Sequence, residues 1–209
     1  MSEPSRFKIG FFRSLNLALE LILLNLMFII TVIATSGVFF VIALTALFSM
    51  LIDFKEGRQI DRLSRYFSYL KAHIGFGLKS LLILIPFAVL AYMNVTAILY
   101  IGTELEEGFL SLILLFSFIF ISLYVMIIFM VMFLIKAQQS EPITLRATFN
   151  FALFVVMKNI KRFIVIFVYS AFVVFLLWTS PFLILLGIVA FYAYFILYLF
   201  EKDTKIMEP

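Results

Sequence analysis

The sequence has no cysteine, a single histidine and few charged residues. Without cysteine the chain has no disulfide, no thiolate nucleophile and no Cys/His zinc cluster. Charged residues make up 13% of its 209 residues, whereas an ordinary soluble domain has about 25%. A chain this poor in charge cannot cover a compact surface with polar side chains. The deficit therefore excludes a soluble domain.

Apolar residues are correspondingly abundant. They make up 65% of the chain, which includes 28 phenylalanines, and the mean hydropathy is +1.19. We therefore expect an integral membrane protein whose first partner is the lipid bilayer. The formal net charge of +4 does not indicate nucleic-acid binding, because that requires a basic face on a folded soluble surface. In a membrane protein an excess of Lys and Arg reports orientation and contact with anionic lipid headgroups.

Charge-free apolar runs predict the membrane spans. A helix needs about 20 mostly apolar residues to cross a hydrocarbon core of about 30 Å. Thr35-Ser36-Gly37 divides a run that is too long for one crossing, and Ser180-Pro181 divides another. The predicted fold class is all-α, a single polytopic transmembrane helix bundle with six spans near residues 15–35, 38–53, 80–101, 109–135, 162–179 and 182–200.

The basic residues segregate to one side of a six-span chain. All 16 Lys and Arg fall in the four segments that such a chain places on one side, and the opposite turns carry only Glu104, Glu106 and Glu107. By the positive-inside rule, this pattern predicts a multi-pass protein of the plasma membrane with both termini cytoplasmic. Two alternatives stay open near the N-terminus: residues 15–52 form a re-entrant hairpin, or Ala34-Thr35-Ser36 is a signal-peptide cleavage site.

Two of the predicted cytoplasmic segments have amphipathic helical patterns. We predict interfacial helices near residues 58–74 and 143–159, the first with Leu63 and Phe67 on its apolar face. The second follows a start signal at Ser140-Glu141-Pro142. Their basic residues form a candidate surface for a docking partner or for lipid headgroups, which comprises Arg58, Arg62, Arg65, Lys71, Arg146 and Lys158.

Polar residues inside the predicted spans are few. Glu20 is the one carboxylate in an apolar segment, and an intramembrane acid is by default a candidate functional group. With Asn16, Asn25 and Asn94 it forms a candidate intramembrane polar site for a cation or a polar solute. The structural alternative is that Glu20 reaches the headgroups or pairs locally, and that Asn94 hydrogen-bonds across to Asn25.

No pattern in the sequence indicates catalysis. The segment from Gly75 to Ser80 has the composition of a phosphate-binding loop but not the Walker spacing. His73 has no Asp, Glu or Cys at ligand spacing, and the glutamates at 104–107 have no basic residue near them. We therefore expect no enzymatic activity, no catalytic or metal site, no cofactor and no nucleotide bound by this chain.

Short motifs distributed over most of the chain point to a family. They are Asn25-Leu26-Met27-Phe28, Phe54-Lys55-Glu56-Gly57, Phe67-Ser68-Tyr69-Leu70-Lys71, Leu145-Arg146-Ala147-Thr148-Phe149 and Tyr192-Ala193-Tyr194. In these motifs the chain resembles the YesL family, bacterial multi-pass membrane proteins that are associated with carbohydrate uptake. The resemblance implies a non-enzymatic accessory subunit of an ABC-type carbohydrate import system, with permease subunits as partners. The alternative is a small transporter or channel for a polar solute, with a path lined by Glu20, Asn25, Asn94 and Thr96.

Overall fold

The computed structural model describes residues 6–58, 61–104, 108–139, 143–185 and 187–204. Every regular element within these ranges is a helix, which confirms the all-α prediction. The α-helices are α1 (Arg6–Ala34), α2 (Phe40–Lys55), α3 (Arg62–Glu104), α4 (Gly108–Gln138), α5 (Leu145–Lys158), α6 (Ile160–Thr179) and α7 (Ile188–Thr204), and a short 3₁₀ helix, Pro181–Ile184, precedes α7.

Three of these helices are long and apolar enough to cross a membrane. Among the described residues the segments are Leu15–Ala34 of α1, Arg62–Ile98 of α3 and Leu112–Gln138 of α4. Helices α2 and α7 have 16 and 17 residues, so each is about 24–26 Å long, slightly less than the hydrocarbon thickness. The fold is therefore a helical protein with three candidate membrane spans.

Helix α2 occupies the centre of the bundle. Its residues 41–51 are all buried, and α1, α3, α4 and α7 pack around it. The turn that leads into α2 contains Ser36 and Gly37 with φ of 49° and 83°, a left-handed conformation that glycine adopts without a steric penalty. The predicted break at Thr35-Ser36-Gly37 therefore coincides with a tight connection that folds α2 back against α1.

The contacts between α2 and α3 fix their antiparallel register. Near one end Tyr69 donates a hydrogen bond to Asp53, and one turn further along, Ser49 and His73 share a hydrogen bond of 3.0 Å. At the other end Gly77 lies against Ile42, with no space for a side chain. Helix α2 therefore packs along the first half of α3, which carries the basic residues, and the apolar residues from Leu81 onward extend past the α2 N-terminus.

The interfacial helix predicted at 58–74 is not a separate element. Helix α3 runs without a break from Arg62 to Glu104 over 43 residues, a length of about 64 Å, and Arg58 lies in the connection before it. Of the predicted apolar face, Leu63 and Phe67 are exposed, whereas Leu70 is buried inside the protein. Two of the residues buried in this half of α3 carry polar rings, and the buried set is Tyr66, Leu70, His73, Phe76, Gly77 and Ser80.

Helix α5 lies in the second predicted interfacial segment. The Thr144 hydroxyl caps its N-terminus by accepting a hydrogen bond from the Ala147 amide, and the start signal predicted at 140–142 lies outside the described residues. The buried face comprises Thr148, Ala152, Val155 and Val156, and it packs mainly on α4. One face of α5 is thus held by the bundle.

Helices α6 and α7 are separated at the predicted proline. Helix α6 ends at Thr179 and the 3₁₀ helix begins at Pro181, but α7 begins at Ile188, six residues after the predicted start of the last span. The two helices pack through stacked rings of Tyr169 and Tyr192, whose centroids are 5.9 Å apart. A hydrogen bond of 2.7 Å joins the buried hydroxyls of Ser170 and Tyr192, so this polar pair is satisfied inside the bundle.

Candidate functional site: an arginine cleft

A polar cleft lies where the end of α2 meets α1 and the beginning of α3. Its volume is about 340 Å³, and seven residues line it: Glu20, Met50, Asp53, Phe54, Gly57, Arg58 and Arg62. The cleft therefore combines two carboxylates and two guanidinium groups with an apolar floor. We refer to it below as the arginine cleft.

Asp53 is the anchor of the arginine cleft. Its side chain is only 2% exposed, and its carboxylate accepts hydrogen bonds from Arg58 Nη1 at 2.9 Å and from the Tyr69 hydroxyl at 2.5 Å. The Arg65 Nε atom lies 3.5 Å from the same carboxylate. Burial of an unpaired carboxylate is costly, and these three partners compensate for the burial of the Asp53 side chain.

The chain conformation after α2 brings Arg58 back to Asp53. Gly57 has φ of 71°, which lets the chain reverse immediately after the helix. The Arg58 amide then donates to the Asp53 carbonyl oxygen at 3.1 Å, while Arg58 Nη2 contacts Glu56 at 2.5 Å. The backbone and two carboxylates therefore hold the Arg58 guanidinium at the edge of the cleft.

Glu20 pairs with an arginine that is distant in sequence. Arg62 Nε donates to Glu20 Oε1 at 2.5 Å, and the pair joins α1 to the first residue of α3. The Glu20 side chain is 12% exposed and that of Arg62 is 53% exposed. The sequence suggested a local partner for Glu20, whereas the fold supplies one from the predicted cytoplasmic segment.

Two further ion pairs lie at the C-terminal end of α7. Lys55 pairs with Glu201, and Arg162 pairs with Asp203. Arg162 also donates to the Leu199 carbonyl oxygen of α7 at 2.8 Å. These contacts join the ends of α2, α6 and α7, so charged residues from five helices meet at the end of the bundle that holds the arginine cleft.

The four residues of the predicted intramembrane polar site do not converge. Asn25 is fully buried, its amide donating to the Ile184 carbonyl oxygen at 2.7 Å and accepting from the Ala190 amide at 3.3 Å. Asn16 and Asn94 are exposed, and Asn94 makes no bridge to Asn25. Asn25 therefore satisfies backbone groups at the start of α7, and Glu20 belongs to the arginine cleft.

The residues of the predicted basic surface divide into two groups. Arg58 and Arg62 line the cleft, and Arg65 stands behind it against Asp53, with its guanidinium 4.9 Å from the Tyr69 ring centroid. Lys71 is exposed further along α3. Arg146 and Lys158, on α5, do not line the cleft.

Sequence reasoning assigned no role to Asp53 or Ser49. A signal was present, because Thr45, Ser49 and Asp53 recur every four residues in an otherwise apolar segment, a spacing that places them on one helix face. In the structure all three are buried, and the last two bond to residues of α3. The stripe therefore marks the side of α2 that faces α3.

Outside the cleft, the second half of α3 and the first half of α4 carry a broad apolar surface. Leu82 and Tyr92 of α3 are 74% and 72% exposed, and Phe116 of α4 is 71% exposed. In the most apolar window of the α3 candidate span no residue is buried inside the protein. We refer to this region as the α3–α4 apolar surface.

Within the described residues, no group of three or more His, Cys, Asp or Glu side chains is arranged to hold a metal ion. No protein-family model, curated protein or solved structure matches the chain.

Proposed function

We propose that the chain is a non-enzymatic accessory membrane subunit that associates, within the bilayer, with the permease subunits of an ABC-type carbohydrate import system. The observation that carries the proposal is the α3–α4 apolar surface. Exposed apolar area of this extent on a helical protein indicates contact with lipid or with a membrane partner. The carbohydrate system follows from the YesL resemblance alone.

The chemistry of the α3–α4 apolar surface suits a helical partner. Ser117 of α4 and Ala91 of α3 are small residues among larger apolar ones. Small residues let membrane helices approach closely, and association then depends on van der Waals packing. The α3–α4 apolar surface therefore offers a partner's membrane helix both apolar contacts and positions where the two backbones can approach closely.

We also propose six crossings with both termini cytoplasmic. The segregation of Lys and Arg supports this topology, and so do the ion pairs that gather at one end of the bundle. One observation favours the re-entrant alternative for residues 15–52: α2 packs beside the basic half of α3, where Lys71 and Lys79 are exposed. The two topologies differ in whether Ser36, between α1 and α2, is accessible from outside the cell.

The association is tested by photocrosslinking in the native host. A photoreactive amino acid is placed at Leu82, Tyr92 or Phe116, and its matched control at Leu47, which is fully buried in α2. We expect the three exposed positions to give adducts with permease subunits, identified by mass spectrometry, and Leu47 to give none. Adducts with lipid alone at all three exposed positions would overturn the proposal.

A further inference from the structure

The exposures of the charged groups in the arginine cleft are asymmetric. The carboxylates of Asp53 and Glu20 are 2% and 12% exposed, whereas Arg58 and Arg62 are each 53% exposed. The two acids of the lining therefore lie behind the arginines and hold them in place, and the guanidinium groups are the most exposed charged groups that line the cleft. Glu56, outside the lining, is 35% exposed and contacts Arg58 Nη2.

The guanidinium groups keep donor capacity after these ion pairs are made. Each guanidinium has five N–H donors in a fixed plane. The carboxylate contacts engage the two Nη atoms of Arg58 and only the Nε atom of Arg62. Arg62 therefore keeps both Nη groups, and Arg58 keeps Nε and the second N–H of each Nη, as donors for a phosphate. Arg–phosphate pairs are frequently bidentate, and little side-chain entropy is lost on binding when the guanidinium group is already held in place.

The surroundings of the cleft match a lipid rather than a soluble phosphate. Met50 and Phe54 line the cleft beside the arginines. On α1, a stripe of exposed apolar residues passes within one turn of Glu20 and continues along the helix: Leu19, Leu23, Leu26, Ile30 and Ile33. A molecule with its phosphate at Arg58 and Arg62 has an apolar surface beside it along which acyl chains can lie.

We propose that the arginine cleft binds the phosphodiester headgroup of an anionic phospholipid, with the guanidinium groups of Arg58 and Arg62 as its direct ligands. Asp53, Glu20 and Tyr69 are positioning residues, since they contact the arginines or each other and not the phosphate. The site is independent of the association proposed for the α3–α4 apolar surface.

The binding test uses the full chain purified in mild detergent. Native mass spectrometry counts the bound molecules of dioleoyl phosphatidylglycerol, of dioleoyl phosphatidylcholine and, as a soluble phosphate, of glycerol 3-phosphate. We expect phosphatidylglycerol to be retained preferentially. Arg58→Gln and Arg62→Gln each weaken that binding about tenfold, because each removes charge-assisted hydrogen bonds. Lys79→Gln, which removes the same charge from an exposed position further along α3, leaves it unchanged.

A charge-exchanged variant distinguishes a loss of lipid binding from a loss of folding. Glu20→Arg combined with Arg62→Glu keeps an ion pair between α1 and α3 but places the carboxylate at the exposed position. We expect this variant to retain its helical circular dichroism and its melting temperature within a few degrees and to lose selective retention of phosphatidylglycerol. Retention equal to that of the unmodified chain would overturn the proposal, as would an equal loss in Lys79→Gln or equally tight binding of glycerol 3-phosphate.

Discussion

Gly77 of α3 and Ile42 of α2 lie so close that a methyl group at position 77 would collide with the Ile42 side chain and approach its Cα atom to 3.3 Å. This contact sets the separation of the two helices at the end opposite the arginine cleft. Because Ile42 is fully buried, its side chain has nowhere to move without repacking its neighbours.

Gly77→Ala is therefore expected to destabilise the fold by about 1–3 kcal/mol, as overpacking of a filled core does. Melting in mild detergent, followed by circular dichroism, measures the effect. Gly75→Ala is the matched control, because a methyl group at position 75 meets nothing within 4 Å, and the better helix propensity of alanine predicts unchanged or higher stability. Equal melting temperatures for the two variants would contradict this packing.

Tyr69→Phe removes only the hydroxyl group that donates to Asp53 and accepts from Arg65. We expect the free energy of unfolding to fall by about 1.5–3 kcal/mol, which is the usual contribution of a hydrogen bond to a charged group. Tyr198→Phe is the control, since Tyr198 is exposed and its ring contact with Lys55 does not need the hydroxyl. Chemical denaturation in detergent measures the stability of both variants. If Tyr69→Phe is as stable as the control, the Tyr69 hydroxyl does not help to hold Asp53 in place.

Asn25→Leu keeps the branched shape and the number of side-chain heavy atoms but removes the hydrogen bonds to the Ile184 carbonyl oxygen and from the Ala190 amide. Two unsatisfied backbone groups in a buried position cost about 1–3 kcal/mol each. The control Asn94→Leu replaces an exposed amide and is expected to be neutral or slightly stabilising in detergent. If instead Asn94→Leu is the more damaging substitution, Asn94 has a role that its exposed position does not explain.

Cysteine labelling tests the topology without background, because the chain has no native thiol. With six spans, Ser36→Cys and Glu106→Cys react with an impermeant maleimide in intact cells, whereas Ser64→Cys and Thr144→Cys react only after permeabilisation. Reaction at Glu106→Cys without reaction at Ser36→Cys identifies a re-entrant first hairpin. External labelling of Ser64→Cys would reject the cytoplasmic assignment of the basic segments.

The helical class and the positions of the turns could be predicted from the sequence, because apolar runs and breakers are local properties. The turn at Ser36 and Gly37 is one example, and the end of α6 before Pro181 is another. The arginine cleft could be predicted only in part. Arg58 and Arg62 stand out as basic residues, but their attachment to Asp53 and Glu20 depends on the α2–α3 register and on the approach of α1 to α3.

The boundary predicted between an interfacial helix and the third span was wrong for a physical reason. Composition changes sharply at Leu81, and a change in composition indicates a change of environment, but the backbone hydrogen bonds of a helix do not depend on it. No proline interrupts these hydrogen bonds at the boundary near Leu81, because the proline inside α3 is Pro86, further along the helix. Helix α3 therefore continues through the boundary.

Because α3 is one uninterrupted helix, a rotation at one end would also move its other end. Its contact with Ile42 at Gly77 lies about a third of the way along the helix, with the cleft arginine Arg62 about 22 Å away at one end and Glu104 about 40 Å away at the other. A tilt of about 5° around Gly77 would displace the Arg62 end by about 2 Å and the Glu104 end by about 3.5 Å. Pro86, which lacks an amide donor, is the point of this longer arm at which bending costs least. A small displacement of Arg62 at the cleft would therefore be accompanied by a larger displacement at the Glu104 end of α3.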